Sequence, residues 1–161
     1  MRREWMRLIL VSGAICLADQ ITKFWITRNL ALHEYVSVIP GFFNINHVLN
    51  PGGAFGFFAD QSLGIRKFVF LFLSSIVTVI LSWFYLRVAK THRVLSYGLA
   101  MIMGGAIGNL VDRFRYGMVV DFLDVYIGNY HWPSFNVADS AICIGMAILI
   151  YHMLFNKLPD V

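Results

Sequence analysis

The stretch Phe68-Val69-Phe70-Leu71-Phe72-Leu73-Ser74-Ser75-Ile76-Val77-Thr78-Val79-Ile80-Leu81-Ser82-Trp83-Phe84-Tyr85-Leu86 runs for nineteen residues without a charge and is closed by Arg87 and Lys90. A helix of that length and apolarity crosses the roughly 30 Å hydrocarbon core of a bilayer. Lipid is therefore the solvent to reason with, and the composition agrees: of 161 residues, 58% are hydrophobic and 14% charged, with a mean hydropathy of +0.67. Those values exclude an ordinary soluble globular domain.

Three further runs fit the same solvent. Residues 94–111 carry only Ser96 and Asn109 as strongly polar side chains, and Gly104 and Gly108 have the spacing that lets helices approach closely. Residues 140–155 reach spanning length only with the segment before them, which sets a span over 136–155. At the N-terminus, Arg2, Arg3 and Arg7 followed by residues 8–18 have the order of a cleavable signal peptide. Bulky Ile15 precedes Cys16, where processing wants a small residue, and amphipathic character continues through residues 21–25, so residues 5–26 are read as a retained first span.

One membrane domain covering residues 1–161 follows, with spans near 5–26, 68–86, 94–111 and 136–155 and outer segments 27–66 and 112–135. The short turn holding Arg87, Lys90 and Arg93 and the three N-terminal arginines mark the cytoplasmic side, and an even number of spans returns the C-terminus there. The 13 basic residues lie in clusters flanking apolar runs, which argues against a nucleic-acid partner.

The first outer segment alternates apolar and polar residues over 35–39 and again over 42–48, with Pro40-Gly41 between, the pattern of two short surface strands. Asn50-Pro51-Gly52-Gly53 then reads as a turn, and residues 54–58 are apolar enough to rest on headgroups. Cys16 and Cys143 lie in apolar runs and read as small hydrophobes. No HExxH motif is present, His33, His47, His92, His131 and His152 show no ligand spacing, and the three in outer segments read as surface residues. No metal is expected.

Charge inside a span is costly unless paired, so the ionisable residues are informative. Asp19 falls in the outer half of the first span, with Lys23 at i+4 in the favourable order for an ion pair. Asn109 and Arg113 share a helical face at the outer boundary. Asp121 stands in the apolar run Val119-Val120-Asp121-Phe122-Leu123; if that run is extended, Val119 and Asp121 face one way and Asp124 the other. Asn136 and Asp139 lead into the last span, where Asp139 can also serve as a helix N-cap.

Asp121 and Asp139 thus converge on one boundary from different elements. Two carboxyl groups a few ångströms apart do not both ionise, so one stays protonated to polarise a peptide carbonyl while the other activates water. The alternative is a small proton-coupled transporter or channel relaying protons through Asp19, Asp121 and Asp139, which requires acids spread through the membrane depth.

Five motifs in this order resemble the lipoprotein signal peptidase (signal peptidase II) family: residues 19–23 (Asp-Gln-Ile-Thr-Lys), 43–56 (Phe-Asn-Ile-Asn-His-Val-Leu-Asn-Pro-Gly-Gly-Ala-Phe-Gly), 108–113 (Gly-Asn-Leu-Val-Asp-Arg), 119–122 (Val-Val-Asp-Phe) and 135–140 (Phe-Asn-Val-Ala-Asp-Ser). Leu49 and Pro51 depart from the family's usual residues. The resemblance implies an all-α membrane protein of four transmembrane helices with a small extracytoplasmic β-cradle, in the bacterial inner membrane with its site at the outer face. It implies a catalytic dyad of Asp121 and Asp139, a site lined by Asn50, Asn109, Arg113 and Asn136, and support from Asp19 and Lys23. The implied substrate is a prolipoprotein cut just before its diacylglyceryl-modified cysteine, with membrane lipid as surroundings, water as nucleophile and no cofactor. The sequence sets no oligomeric state.

Overall fold

A computed structural model describes residues 2–51 and 62–155. The turn and headgroup-facing segment expected over residues 52–58 lie outside the described residues. Along the chain the order is α1 (Arg2–Asn29), β1 (Tyr35–Ile39), β2 (Phe43–Asn50), α2 (Leu63–Val88), α3 (Arg93–Tyr116), β3 (Val119–Ile127), β4 (Tyr130–His131) and α4 (Val137–Leu154). The described residues contain four helices long and apolar enough to cross a membrane. Much of the apolar surface of α1, α2 and α4 points outward, as a lipid solvent requires, whereas α3 is largely enclosed.

α3 is enclosed because glycines let its neighbours close on it. A Cβ on Gly104 would stand 2.8 Å from the Ser12 backbone of α1, and one on Gly105 would stand 2.4 Å from the Ala138 carbonyl oxygen at the start of α4. Farther along, Gly98 of α3 and Gly145 of α4 press against each other's carbonyls. Without side chains at these positions the helices pack backbone to backbone, which gains dispersion contacts where no hydrophobic drive separates protein from lipid.

The helices run past the spans read from the sequence: α1 continues to Asn29 and α3 to Tyr116. Hydropathy marks where lipid stops, but the backbone ladder continues until something interrupts it. For α3 the interruption is Gly117, which ends the helix at φ 72° and returns its N–H to the Arg113 carbonyl.

The strands form one antiparallel sheet in the order β1-β2-β3-β4. β1 and β2 occupy the two alternating stretches. β3 is the run around Asp121, and its register places Asn44 opposite Asp124 and Asn50 opposite Val119, diagonal to Asp121. A register shift between Ile45 and Val48 gives β2 an extra residue against β3. Val120 and Phe122 pack with Ile26 and Leu30, which fixes the sheet to the end of α1. At the opposite end of the bundle, Leu8, Tyr85, Val88, Leu95 and Leu99 form a second core, and the Arg7 guanidinium reaches the Ala89 carbonyl at 3.2 Å and the Ser96 hydroxyl.

Candidate active site

Asp121 reaches the site because β3 alternates. Val119 and Asp121 line one cavity of about 550 Å³, while Asp124 and Tyr126 line another of about 660 Å³. The conditional reading of this run as extended, with Asp121 and Asp124 facing apart, is the arrangement found. Asp121 is 97% buried by the surrounding residues, being 3% exposed.

Asp139 arrives from α4. The sequence allowed it as the N-cap of that helix, but the cap is Asn136, whose side-chain oxygen accepts the Asp139 N–H at 2.9 Å while Asp139 Oδ2 accepts the Asn136 N–H at 3.3 Å. Asp139 is thus the third helical residue in a reciprocal cap. Its other oxygen, Oδ1, accepts from Asn109 Nδ2 at 2.7 Å.

Asn136 also joins the two acids. Its Nδ2 lies 2.7 Å from Asp121 Oδ1, 3.2 Å from Asn109 Oδ1 and 3.3 Å from the Val120 carbonyl. Asn50 donates from Nδ2 to Asp121 Oδ2 at 3.0 Å. Each carboxyl group therefore receives two N–H donors, and both groups line the same cavity with Asn50, Asn109 and Arg113. The Arg113 guanidinium lies over the Phe70 ring, 4.8 Å from its centroid, with Nη1 3.5 Å from the Asn109 carbonyl one turn back.

Burial pushes the Asp121 carboxyl up to about 6, and the nearby Asp139 charge adds to the shift, while the Asn50 and Asn136 amides oppose it.

Behind the cavity sit Asp19 and Lys23, both buried. The expected i,i+4 ion pair is present at 2.8 Å, but it is half of the arrangement: Lys23 Nζ also meets Asp112 Oδ2 at 2.9 Å and donates to Asn109 Oδ1 at 3.0 Å. Asp112 and Gln20 were not singled out as site residues. Gln20 Nε2 reaches Asp112 Oδ1 at 2.9 Å and Asp19 Oδ2 at 3.2 Å. The available signal was that Asp112 stands three residues after Asn109 and shares its helical side, next to Arg113.

The surface reading holds for His33 and His131, which are exposed, His131 pairing Nδ1 with Asp124 Oδ1 at 2.8 Å, and needs correction at His47, which is buried with Nδ1 3.0 Å from the Leu30 carbonyl. Among the described residues no group of three His, Cys, Asp or Glu side chains could hold a metal ion, and both cysteines are free.

A bundle of membrane-length helices under a small sheet, with paired carboxyl groups in a cavity where the two meet, defines a multi-pass membrane enzyme. A family profile described as signal peptidase (SPase) II matches residues 11–155. A lipoprotein signal peptidase of Desulforapulum autotrophicum is 61% identical over 158 residues, 98% of either chain, and one of Syntrophus aciditrophicus is 42% identical over 154 residues, 96% of either chain. Two solved structures described as bacterial membrane enzymes match with TM-scores of 0.84 and 0.80, each at 30% identity, over 96% of this chain and 91% and 94% of theirs. The chain belongs to the signal peptidase II family, a family of membrane proteases.

Proposed function

We propose that this protein is an aspartic endopeptidase that removes the signal peptide of diacylglyceryl-modified prolipoproteins, cutting just before the lipidated cysteine. Asp121 and Asp139 share one proton. Asp121, whose carboxyl is pushed up to about 6, holds it. Asp139 is the base: it stands in the first turn of α4, where the helix dipole favours an anion, and its two oxygens accept from the Asn109 amide and the Asn136 N–H.

Asp139 takes a proton from water, the oxygen attacks the scissile carbonyl carbon, and Asp121 delivers its proton to the carbonyl oxygen. Collapse of the tetrahedral diol breaks the C–N bond. The proton held by Asp139 passes to the leaving nitrogen, and a diol hydroxyl returns its proton to Asp121. Asn50, Asn109 and Asn136 hold the two carboxyl groups, Arg113 lines the cavity beside them, and Asp19 and Lys23 support from behind. Water and the two acids supply the chemistry, with no cofactor required.

A cavity at the junction of bundle and sheet suits a cleavage site whose acyl chains stay in the bilayer, since lipid anchoring lowers the entropy cost of reaching the dyad. The membrane is the bacterial inner membrane, with both termini cytoplasmic and the cavity at the outer face. Arg7 joins the N-terminal basic cluster to the basic α2–α3 turn at the far end of the bundle, which supports that orientation. Asp19, Asp121 and Asp139 gather in one bonded network, which disfavours a proton relay through the membrane depth.

The observation that carries the reading is Asn136, bonded to both acids in one cavity. The test is cleavage of a lipidated prolipoprotein by purified Asp121→Asn and Asp139→Asn variants, each of which is expected to be inactive yet folded. Turnover by either one overturns the dyad.

A further inference from the structure

Asp19 and Asp112 do the same thing on opposite sides of Lys23. Asp19 Oδ1 accepts the N–H of Ala138 at 3.0 Å, and Ala138 immediately precedes Asp139. Asp112 Oδ2 accepts the N–H of Val120 at 3.2 Å, and Val120 immediately precedes Asp121. The three donors of the Lys23 ammonium meet three acceptors, Asp19 Oδ2, Asp112 Oδ2 and Asn109 Oδ1, at 2.8, 2.9 and 3.0 Å. Gln20 donates to both carboxylates from the side.

Gly108 makes room for this cluster: a Cβ there would stand 2.7 Å from Asp19 Oδ2. Two buried carboxylates around one buried ammonium leave one net negative charge, which only a fully bonded network tolerates.

We propose that Asp19, Lys23 and Asp112 form a three-charge clamp that sets the separation of Asp121 and Asp139 by holding the backbone one residue before each, which makes Asp112 a positioning residue for the reaction. The clamp rests on the proposed dyad. It reaches the acids by three routes: through the Ala138 N–H, through the Val120 N–H, and through Asn109, which accepts a hydrogen bond from Lys23 at Oδ1 and donates one to Asp139 from Nδ2. Asp112 does not line the cavity, so it acts on geometry and field and not on substrate contact.

The signature is a split in kinetics joined to opposite shifts in pH profile. Asp112→Asn keeps an acceptor for Val120 and loses the charge. Its kcat is expected to fall at least about tenfold, with KM for a lipidated prolipoprotein within about twofold. The charged groups around Asp121 are Lys23 and Asp19 from α1, Asp112 and Arg113 from α3, and Asp139 from α4. Removing a negative charge by Asp112→Asn or Asp19→Asn eases ionisation of Asp121, so the alkaline limb of the profile moves down by about half a pH unit; Lys23→Met moves it up. Damage to packing alone lowers the rate without shifts of opposite sign.

The experiment measures kcat, KM and pH profiles of purified Asp112→Asn, Asp19→Asn and Lys23→Met, with Asp121→Asn alongside. Wild-type kcat in Asp112→Asn, or limbs that move the same way, overturns the clamp while an inactive Asp121→Asn leaves the dyad standing. Turnover by Asp121→Asn removes the dyad itself. Where a single variant fails to fold, the neutral triple variant Asp19→Asn/Lys23→Met/Asp112→Asn buries no unpaired charge and replaces it. A folded triple variant with kcat within twofold of the parent overturns the proposal, and a loss of tenfold or more with unchanged KM supports it.

Discussion

The side-chain amide of Asn136 donates to Asp121 across 2.7 Å while the same residue caps α4. One side chain therefore fixes where a helix begins and where a strand carboxyl points. The two duties are separable, because capping uses Oδ1 and the link to Asp121 uses Nδ2. Asn136→Ser keeps a competent cap and removes the link. Its thermal stability is expected to stay within about 1 kcal/mol of the parent, while prolipoprotein cleavage drops at least about tenfold. Asn136→Ala loses both, and a melting experiment in detergent should show the additional loss.

With the Asp121 carboxyl raised to about 6 chiefly by burial, the proposed mechanism is expected to give the activity an alkaline limb near that pH, because the protonated form assigned to donate to the carbonyl is lost as pH rises through it. Asn50 opposes the shift by donating to the ionised form, so Asn50→Ala is expected to move the limb upward. Stability has the matching sign. Between the ordinary aspartate value of 3.8 and about 6 the folded protein binds the additional proton, so this group's contribution declines with rising pH in that window and is flat above it. Comparing melting temperature against pH for the parent and Asp121→Asn checks the slope.

Backbone-to-backbone packing predicts a graded response among glycines. A Cβ at Gly105 would stand 2.4 Å from a backbone oxygen that cannot rotate away, so Gly105→Ala is expected to cost about 2–3 kcal/mol and to separate α3 from α4 just where Asp139 begins. Gly13 on α1 has nothing within 4 Å of an added Cβ, so Gly13→Ala should be neutral or raise stability by up to about 1 kcal/mol. Thermal unfolding in one detergent ranks the two.

The far side of the sheet offers a control for the dyad. Asp124 is buried like Asp121, with Asn44 Nδ2 at 2.9 Å from Oδ2 and His131 at 2.8 Å from Oδ1, yet it lines the other cavity. Asp124→Asn is expected to lower the melting temperature and to leave kcat within about twofold, whereas Asp121→Asn is expected to abolish turnover. A cleavage assay on the two variants separates a buried acid that holds the sheet from the one proposed to do the chemistry.

Local chemistry made much of this legible in the amino-acid order. Nineteen uncharged residues at 68–86 must satisfy their own backbone in lipid, and only a helix does so, which is why the four helices could be read without long-range information. Period-two alternation at 35–39 and 42–48 similarly announced β1 and β2, and an acid flanked by Val119, Val120, Phe122 and Leu123 was conspicuous for its surroundings. What each polar group meets depends on chain closure instead. That β3 pairs with β2, that Asp112 joins Lys23, that His47 is buried, that Asn136 reaches Asp121 and that Asp19 holds the Ala138 N–H are outcomes of residues 15 to 119 positions apart meeting where α1, α3, α4 and the sheet converge. Hydropathy is a property of one segment and can be read from it, whereas a hydrogen bond belongs to two partners, and only the packed bundle decides which two.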